Sequence, residues 1–342
     1  MGQSANFKLD APMSRIVLLG ARATSETVAR FAAEHGIDLA VFSAPRQTDL
    51  ATFDGIPLHE RMASLGFPVS FTNDIRQLDG GPYQLAGPGA ILLSLSCPYG
   101  VDEELVDLYG GRAVNVHGTP LPEYRGGGGF SWPILAGDRR GSVSIHLMIP
   151  GQRDDGPLLL QQAFNYPPDL RYPRDYEACL DRRTEGPLRS FLEGLRRGES
   201  FEARPQDDNA STFMPRLHTP SQAYIDWSWR GDLIERFVLA FSHPYPGAMT
   251  FGRDGQVARM FDCRFDPAFA LPHPFINGIV FRETEGRCFI ACEGGILIVD
   301  EDDMKSGQPP TIGDRLHTPH ELLDKALAFH PSYSADGISD PG

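Results

Sequence analysis

Long apolar runs, paired cysteines and clustered positive charge are all scarce in this chain of 342 residues. No apolar segment approaches the roughly 20 residues that cross a bilayer, so neither a transmembrane helix nor a secretory leader is expected. The five cysteines (Cys97, Cys179, Cys263, Cys288, Cys292) are dispersed and odd in number. That suits reduced thiols in a cytoplasmic protein better than a disulfide framework. Cys288 and Cys292 share a strand-like run with no second pair to complete a tetrahedral site, so no metal is expected. Acidic residues number 45 against 31 Lys and Arg, a net charge of −14. Such a chain repels polyanions unless its positive charge is locally clustered. Gly20-Ala21-Arg22 lacks the second and third glycines of a dinucleotide fingerprint. The run Gly126 to Gly129 lacks the Lys-Ser/Thr that follows a phosphate-binding loop.

What remains is an ordinary globular composition, 41% hydrophobic and 22% charged, with enough length for two cores. Arg15 to Gly20, Asp38 to Ser43, Phe67 to Phe71 and Ala90 to Ser96 read as strands. Ser25 to His35 reads as a helix stopped by Gly36, and Val101 to Leu108 as another with acidic residues in its first turn. Alternating strands and helices predict a Rossmann-like α/β domain with a parallel sheet covered on both faces. Ligands of such sheets bind beyond the carboxyl ends of the strands. An arginine-rich helix is expected from about Asp181 to Gly198. Further on, Asp232 to Phe241 reads as a helix with Leu233, Phe237 and Phe241 on one face. Short alternating runs from Met249 to Val299 suggest a small antiparallel barrel. The expected division is a loose arm over 1–13, a catalytic domain over 14–204, a linker over 205–223, a helix plus barrel over 224–330 and a disordered tail over 331–342.

The densest chemistry lies between Ala113 and Gln162. Asn115 and His117 sit two apart in Ala113-Val114-Asn115-Val116-His117, so strand alternation points both to one face. Leu121-Pro122-Glu123-Tyr124-Arg125-Gly126 follows, then an apolar run carrying His146, then Asp154-Asp155-Gly156-Pro157. An amide, an imidazole and a carboxylate near strand ends can bind an oxyanion and move a proton, as acyl transfer requires.

This order of motifs resembles the folate-dependent formyltransferases, which include methionyl-tRNA formyltransferase, glycinamide ribonucleotide transformylase and the sugar-nucleotide N-formyltransferases. The resemblance implies 10-formyltetrahydrofolate as co-substrate and Asn115, His117 and Asp154 as the catalytic trio. It also implies that Ser96-Cys97-Pro98-Tyr99-Gly100 lines the pterin slot, with His146 and Asp155 beside it, and that the C-terminal barrel is of the oligonucleotide/oligosaccharide-binding (OB) type. Tyr124, Arg125 and Gly126 are expected on the acceptor side, where Thr119-Pro120-Leu121-Pro122 departs from the common Ser-Leu-Leu-Pro. Each residue has a plainer reading. His117 and His146 can be structural hydrogen-bonders, Asp154-Asp155-Gly156-Pro157 is good turn chemistry, Arg125 can pin its loop, and Cys97 can be a pocket wall.

The acceptor is expected to be a small-molecule amine, either an amino sugar on a nucleotide or an amino-acid-derived metabolite. A tRNA is disfavoured because Ala44 to Gly66 carries only Arg46 and Arg61 as cations against Asp49, Asp54 and Glu60. Methionyl-tRNA formylation, formyltetrahydrofolate hydrolysis and a non-catalytic folate-binding role stay open as alternatives. A homodimer is compatible with the sequence, and no membrane partner is expected.

Overall fold

The computed structural model describes residues 5–127, 129–151, 153–269 and 273–339. The first half runs β1 (Ala5–Phe7), β2 (Arg15–Leu19), α1 (Ser25–His35), β3 (Asp38–Ser43), α2 (Leu58–Ser64), β4 (Val69–Phe71), β5 (Ala90–Leu95), α3 (Glu103–Leu108), β6 (Ala113–His117), β7 (Arg125–Gly126), α4 (Ser131–Ala136), β8 (Arg140–Leu147), β9 (Leu158–Asn165), α5 (Pro173–Arg196) and β10 (Phe201–Ala203). A seven-stranded sheet orders them β4-β3-β2-β5-β6-β8-β9. The first five are parallel, β8 runs antiparallel to β6, and β9 at the edge runs antiparallel to β8. The sheet is therefore mixed rather than purely parallel.

Burial explains the central strands. Every residue of β5 is buried, as are Ile16 to Leu19 of β2. Each Leu or Ile so placed contributes about 1.5–3 kcal/mol, which offsets the backbone entropy of ordering a strand. α1 presents Val28, Ala29, Phe31 and Ala32 to this sheet and ends where Gly36 turns left-handed (φ 63°), its N–H on the Ala32 carbonyl. α3 starts where the Asp102 carboxylate accepts the Leu105 N–H at 2.9 Å.

Two expected loose segments are structured. Within the expected arm, β1 pairs antiparallel with β10, and Phe7, Leu9 and Met13 are buried in the main core; residues 1–4 lie outside the described residues. Within the expected tail, β19 (Ser332–Ser334) and β20 (Gly337–Ser339) form a hairpin, while residues 340–342 lie outside the described residues. The segment expected to be a linker carries β11 (Phe213–Met214) and α6 (Thr219–Gln222). β11 pairs parallel with β7.

The second half continues with α7 (Gly231–Ala240), β12 (Ala248–Phe251), β13 (Val257–Met260), β14 (Arg264–Asp266), β15 (Val280–Thr284), β16 (Arg287–Cys292), β17 (Gly295–Asp300), β18 (Met304–Lys305) and α8 (His320–Ala328). These strands make two antiparallel sheets, β12-β13-β18 and β14-β17-β16-β15. α7 buries Ile234, Phe237 and Val238, and Phe241 follows it into the core. Leu233, expected on that face, is 39% exposed, because the apolar stripe is centred one position further along the helix. Ile134 of α4 shares the second-half core with Ile234 and Phe237, and the Ser131 hydroxyl donates to the Ala240 carbonyl at 2.8 Å.

Candidate functional site

β6 leaves the sheet with Val114 and Val116 buried and Asn115 and His117 partly exposed on the other face. It lies between β5 and β8, which brings Ser94 and His146 level with Asn115. The Ser94 hydroxyl donates to Asn115 Oδ1 at 2.7 Å. With that oxygen engaged, the amide nitrogen is turned to Asp154 Oδ1 and to His146 Nε2, 3.1 Å from each. His146 Nδ1 donates to the Leu147 carbonyl at 2.9 Å, which turns Nε2 toward Asn115 and, at 3.4 Å, toward Asp154 Oδ1.

Asp154 enters from the β8–β9 loop in a left-handed conformation (φ 54°). Its Oδ2 accepts the Gly126 N–H at 2.9 Å. Gln206 holds the turn by donating to the carbonyls of Asp154 and Gly156, both at 2.8 Å. His117 Nε2 donates toward the Tyr124 carbonyl at 2.8 Å and lies 2.6 Å from the Thr119 hydroxyl. The other ring nitrogen, Nδ1, is thereby turned to Asp154 Oδ1 at 3.6 Å. Burial alone would raise the Asp154 carboxyl. The charge of His117, the hydrogen bond and charge of His146 and the Gly126 amide outweigh it and hold the group well below the usual carboxylate range. Asn115, His117 and Asp154 therefore converge around one anionic carboxylate that is only 16% exposed.

Several expected ligand contacts have partners within the chain. His146 is 2% exposed and touches Asn115 and Asp154 from behind. Asp155, also expected at the cofactor, lies 2.8 Å from the Arg125 guanidinium. Arg125, expected at the acceptor, also pairs with Asp208 at 3.0 Å and donates to Gln206 at 3.1 Å. These contacts pin the lip around Gly126, in the segment after β6, to the segment around Gln206 and Asp208. The Tyr124 hydroxyl donates to Asp138 at 3.0 Å, and burial, first, pushes its phenol up. Gly126 is a backbone participant: at φ 97° a Cβ there would lie 2.4 Å from the Met214 carbonyl oxygen of β11. Gly128 of the glycine run lies outside the described residues.

The Ser96–Gly100 loop starts at the carboxyl end of β5, with Ser96 and Gly100 exposed and Pro98 and Tyr99 buried. Ser96 is left-handed (φ 55°), and its hydroxyl accepts from Arg22 at 3.3 Å. Arg22 is itself fixed by Asp181 at 2.5 Å. Burial pushes the Cys97 thiol up to about 12, so it is not an activated thiol and reacts slowly at neutral pH. Ser94, Thr119, Gln206 and Arg22 were not singled out from the sequence. Thr119 falls inside a quoted motif, but Gln206 reaches Asp154 across a long sequence gap with no pattern to announce it.

Comparison with known proteins adds three findings. Residues 101–176 match the formyl transferase family and residues 218–317 match the formyl transferase C-terminal domain. The methionyl-tRNA formyltransferase of Pelobacter propionicus is 30% identical over 262 residues, spanning 75% of this chain and 74% of the relative. That of Cereibacter sphaeroides is 26% identical over 266 residues, spanning 77% and 85%. Among solved structures, the Helicobacter canadensis N-formyltransferase in complex with folinic acid and dTDP-3-aminofucose superposes with TM-score 0.61 at 16% identity, covering 84% of this chain and 99% of that one. The sugar 3N-formyltransferase WlaRD gives TM-score 0.62 at 16% identity, covering 84% and 97%. At such identity these two likenesses speak to the fold.

Proposed function

Because this chain belongs to the formyltransferase family, we propose that it moves the formyl group of 10-formyltetrahydrofolate to a primary amine of a small molecule, an amino sugar nucleotide or an amino-acid-derived metabolite. The observation that carries this reading is the convergence of Asn115, His117 and Asp154 on one side of β6, within hydrogen-bond or ion-pair reach of each other.

The acceptor nitrogen attacks the formyl carbon, and the carbonyl oxygen becomes an oxyanion. An Asn115 N–H, released from its present partners, donates to that oxyanion, and His117 lowers its energy as a second donor beside it. One such donor is worth about 3 kcal/mol in the transition state. Attack also places positive charge on the acceptor nitrogen. A carboxylate held as acidic as Asp154 is a poor early base and a good counter-charge. Asp154 therefore accepts a hydrogen bond from the attacking amine and steadies its ammonium character. The C–N10 bond then breaks, and the surplus amine proton ends on N10 of tetrahydrofolate, relayed through this group or water. Ser96 to Gly100 forms the donor slot in this reading.

Charge supports a small acceptor. Of the two cations between β3 and β4, Arg61 of α2 is paired with Asp54 at 2.5 Å and lies 3.4 Å from Glu26, and Arg46 is bound to the C-terminal hairpin. Little positive potential is left there for a phosphate backbone. The second reading, methionyl-tRNA formylation, draws on the relatives named above and on the C-terminal region. We take the two second-half sheets as one OB-like barrel, following 205–223 as connector. Incubation with 10-formyltetrahydrofolate and a panel of amines, read by tetrahydrofolate release and product mass, tests the assignment. A small amine gaining one formyl unit supports it, formylation of methionyl-tRNA alone replaces it, and acceptor-independent formate release makes the chain a hydrolase.

A further inference from the structure

The last described residues return to the N-terminal sheet. Ala335, in the turn of the β19–β20 hairpin, is 5% exposed. It belongs to an apolar cluster with Leu19, Phe42, Ala44 and Tyr99, residues at or beyond the carboxyl ends of β2, β3 and β5. Arg46, in the loop after β3, donates through Nε to the Ala335 carbonyl at 2.9 Å and through its terminal nitrogen to the Tyr333 hydroxyl. Asn73, just past β4, donates to Asp336 at 2.6 Å. The Tyr333 ring carries two guanidinium groups, Arg216 at 3.6 Å and Arg46 at 5.2 Å from its centroid.

Arg216 joins this clamp to the catalytic lip. A Cβ on Gly127 would lie 2.1 Å from Arg216 Cγ, so lip and arginine touch, and the neighbouring Gly126 amide holds Asp154. On the other side Gln47, next to Arg46, donates to the Ser96 carbonyl at 3.3 Å. The Cys97 thiol lies close enough to both arginines to feel their charge. The hairpin thus spans from the loops after β3 and β4 to the lip after β6, over the carboxyl edge of the sheet.

We propose that this hairpin is the outer wall of the donor slot at Ser96 to Gly100, with Tyr333, held between Arg46 and Arg216, as the residue that keeps it closed. The proposal rests on the transferase reading above, which makes that loop the donor slot. The same wall limits the access of water to the formyl carbon.

Cys97 serves as a reporter beneath the hairpin. The full chain, Tyr333→Ala, Tyr333→Phe and a chain ending at Pro331 are each labelled with methyl methanethiosulfonate and with a maleimide bearing a polyethylene glycol chain. Peptide mass gives the rate at Cys97, whose high thiol pKa slows both reagents in all four proteins. In the full chain and Tyr333→Phe the bulky reagent should lag the small one. In Tyr333→Ala and the shortened chain that lag should shrink about tenfold, as expected when local opening replaces a closed contact. The same ratio in all four proteins overturns the proposal. If the shortened chain fails to fold, Tyr333→Ala against Tyr333→Phe decides. Acceptor-independent formate release, followed in parallel, should rise severalfold in Tyr333→Ala. A protein that transfers formyl to no amine yet shows the change in labelling refutes the transferase reading and leaves the wall standing.

Discussion

Asp154→Asn isolates the charge at the centre of the site. Asparagine tolerates the left-handed backbone at this position, so the change adds little strain. It removes the negative charge and one of two acceptors. In the native arrangement Oδ1 receives Asn115 at 3.1 Å and Oδ2 receives the Gly126 amide at 2.9 Å. An amide keeps one oxygen and turns an NH2 toward the other donor. Losing a hydrogen bond to a charged group costs about 1.5–3 kcal/mol, and the counter-charge to the attacking amine is lost as well. Together these amount to about 3–4 kcal/mol at the transition state, a fall in kcat of about 10²–10³. Single-turnover formyl transfer gives the chemical step, and titration with folinic acid gives donor affinity. Turnover within about tenfold of the parent, with folate affinity kept, would refute the argument.

Four further outcomes follow from the same contacts. Asn115→Ala and His117→Ala should each lower kcat by about a hundredfold or more while folate still binds; near-normal turnover in either would remove that residue from the mechanism. Gln206→Ala frees the carbonyls of Asp154 and Gly156 and should lower kcat by about tenfold with a smaller effect on KM, since the residue acts through Asp154. Because the Asp154 carboxyl is depressed in the folded chain, its stabilising share is present above the unfolded value near pH 4 and is lost as pH falls through the lower folded value. Denaturant titrations of the parent and Asp154→Asn should therefore converge as pH drops below about 4, and a gap that widens on acidification would contradict that sign. Arg125→Met should leave two carboxylates, Asp155 and Asp208, without their cation and lower the melting temperature, an effect absent if Arg125 only greets the acceptor.

Much of this architecture is readable from the chain because its signals are local. α1 with its Gly36 stop, the run of β5 and the Asn115–His117 alternation each depend on residues a few positions apart. The choice of Asp154 over Asp155 comes from the family resemblance, since either residue suits the turn. The unread parts depend on distant partners. β1, β7 and β11 are two or three residues long and exist only because of their pairing. Ala335 is an unremarkable alanine until the hairpin folds back onto the cluster beside Tyr99. Leu233 shows the limit of periodicity: one residue of rotation on α7 separates the buried stripe from solvent. Arg125 reads as either an acceptor contact or a pin for its loop, and its partners Asp155 and Asp208 are not legible from the pattern.

Labelling the donor formyl carbon with carbon-13 offers the most direct check on the central claim. After incubation with the amine panel, the parent chain should carry the label onto the nitrogen of a small amine, and Asn115→Ala should leave it on folate. Label recovered only as formate, or only on methionyl-tRNA, would contradict the account.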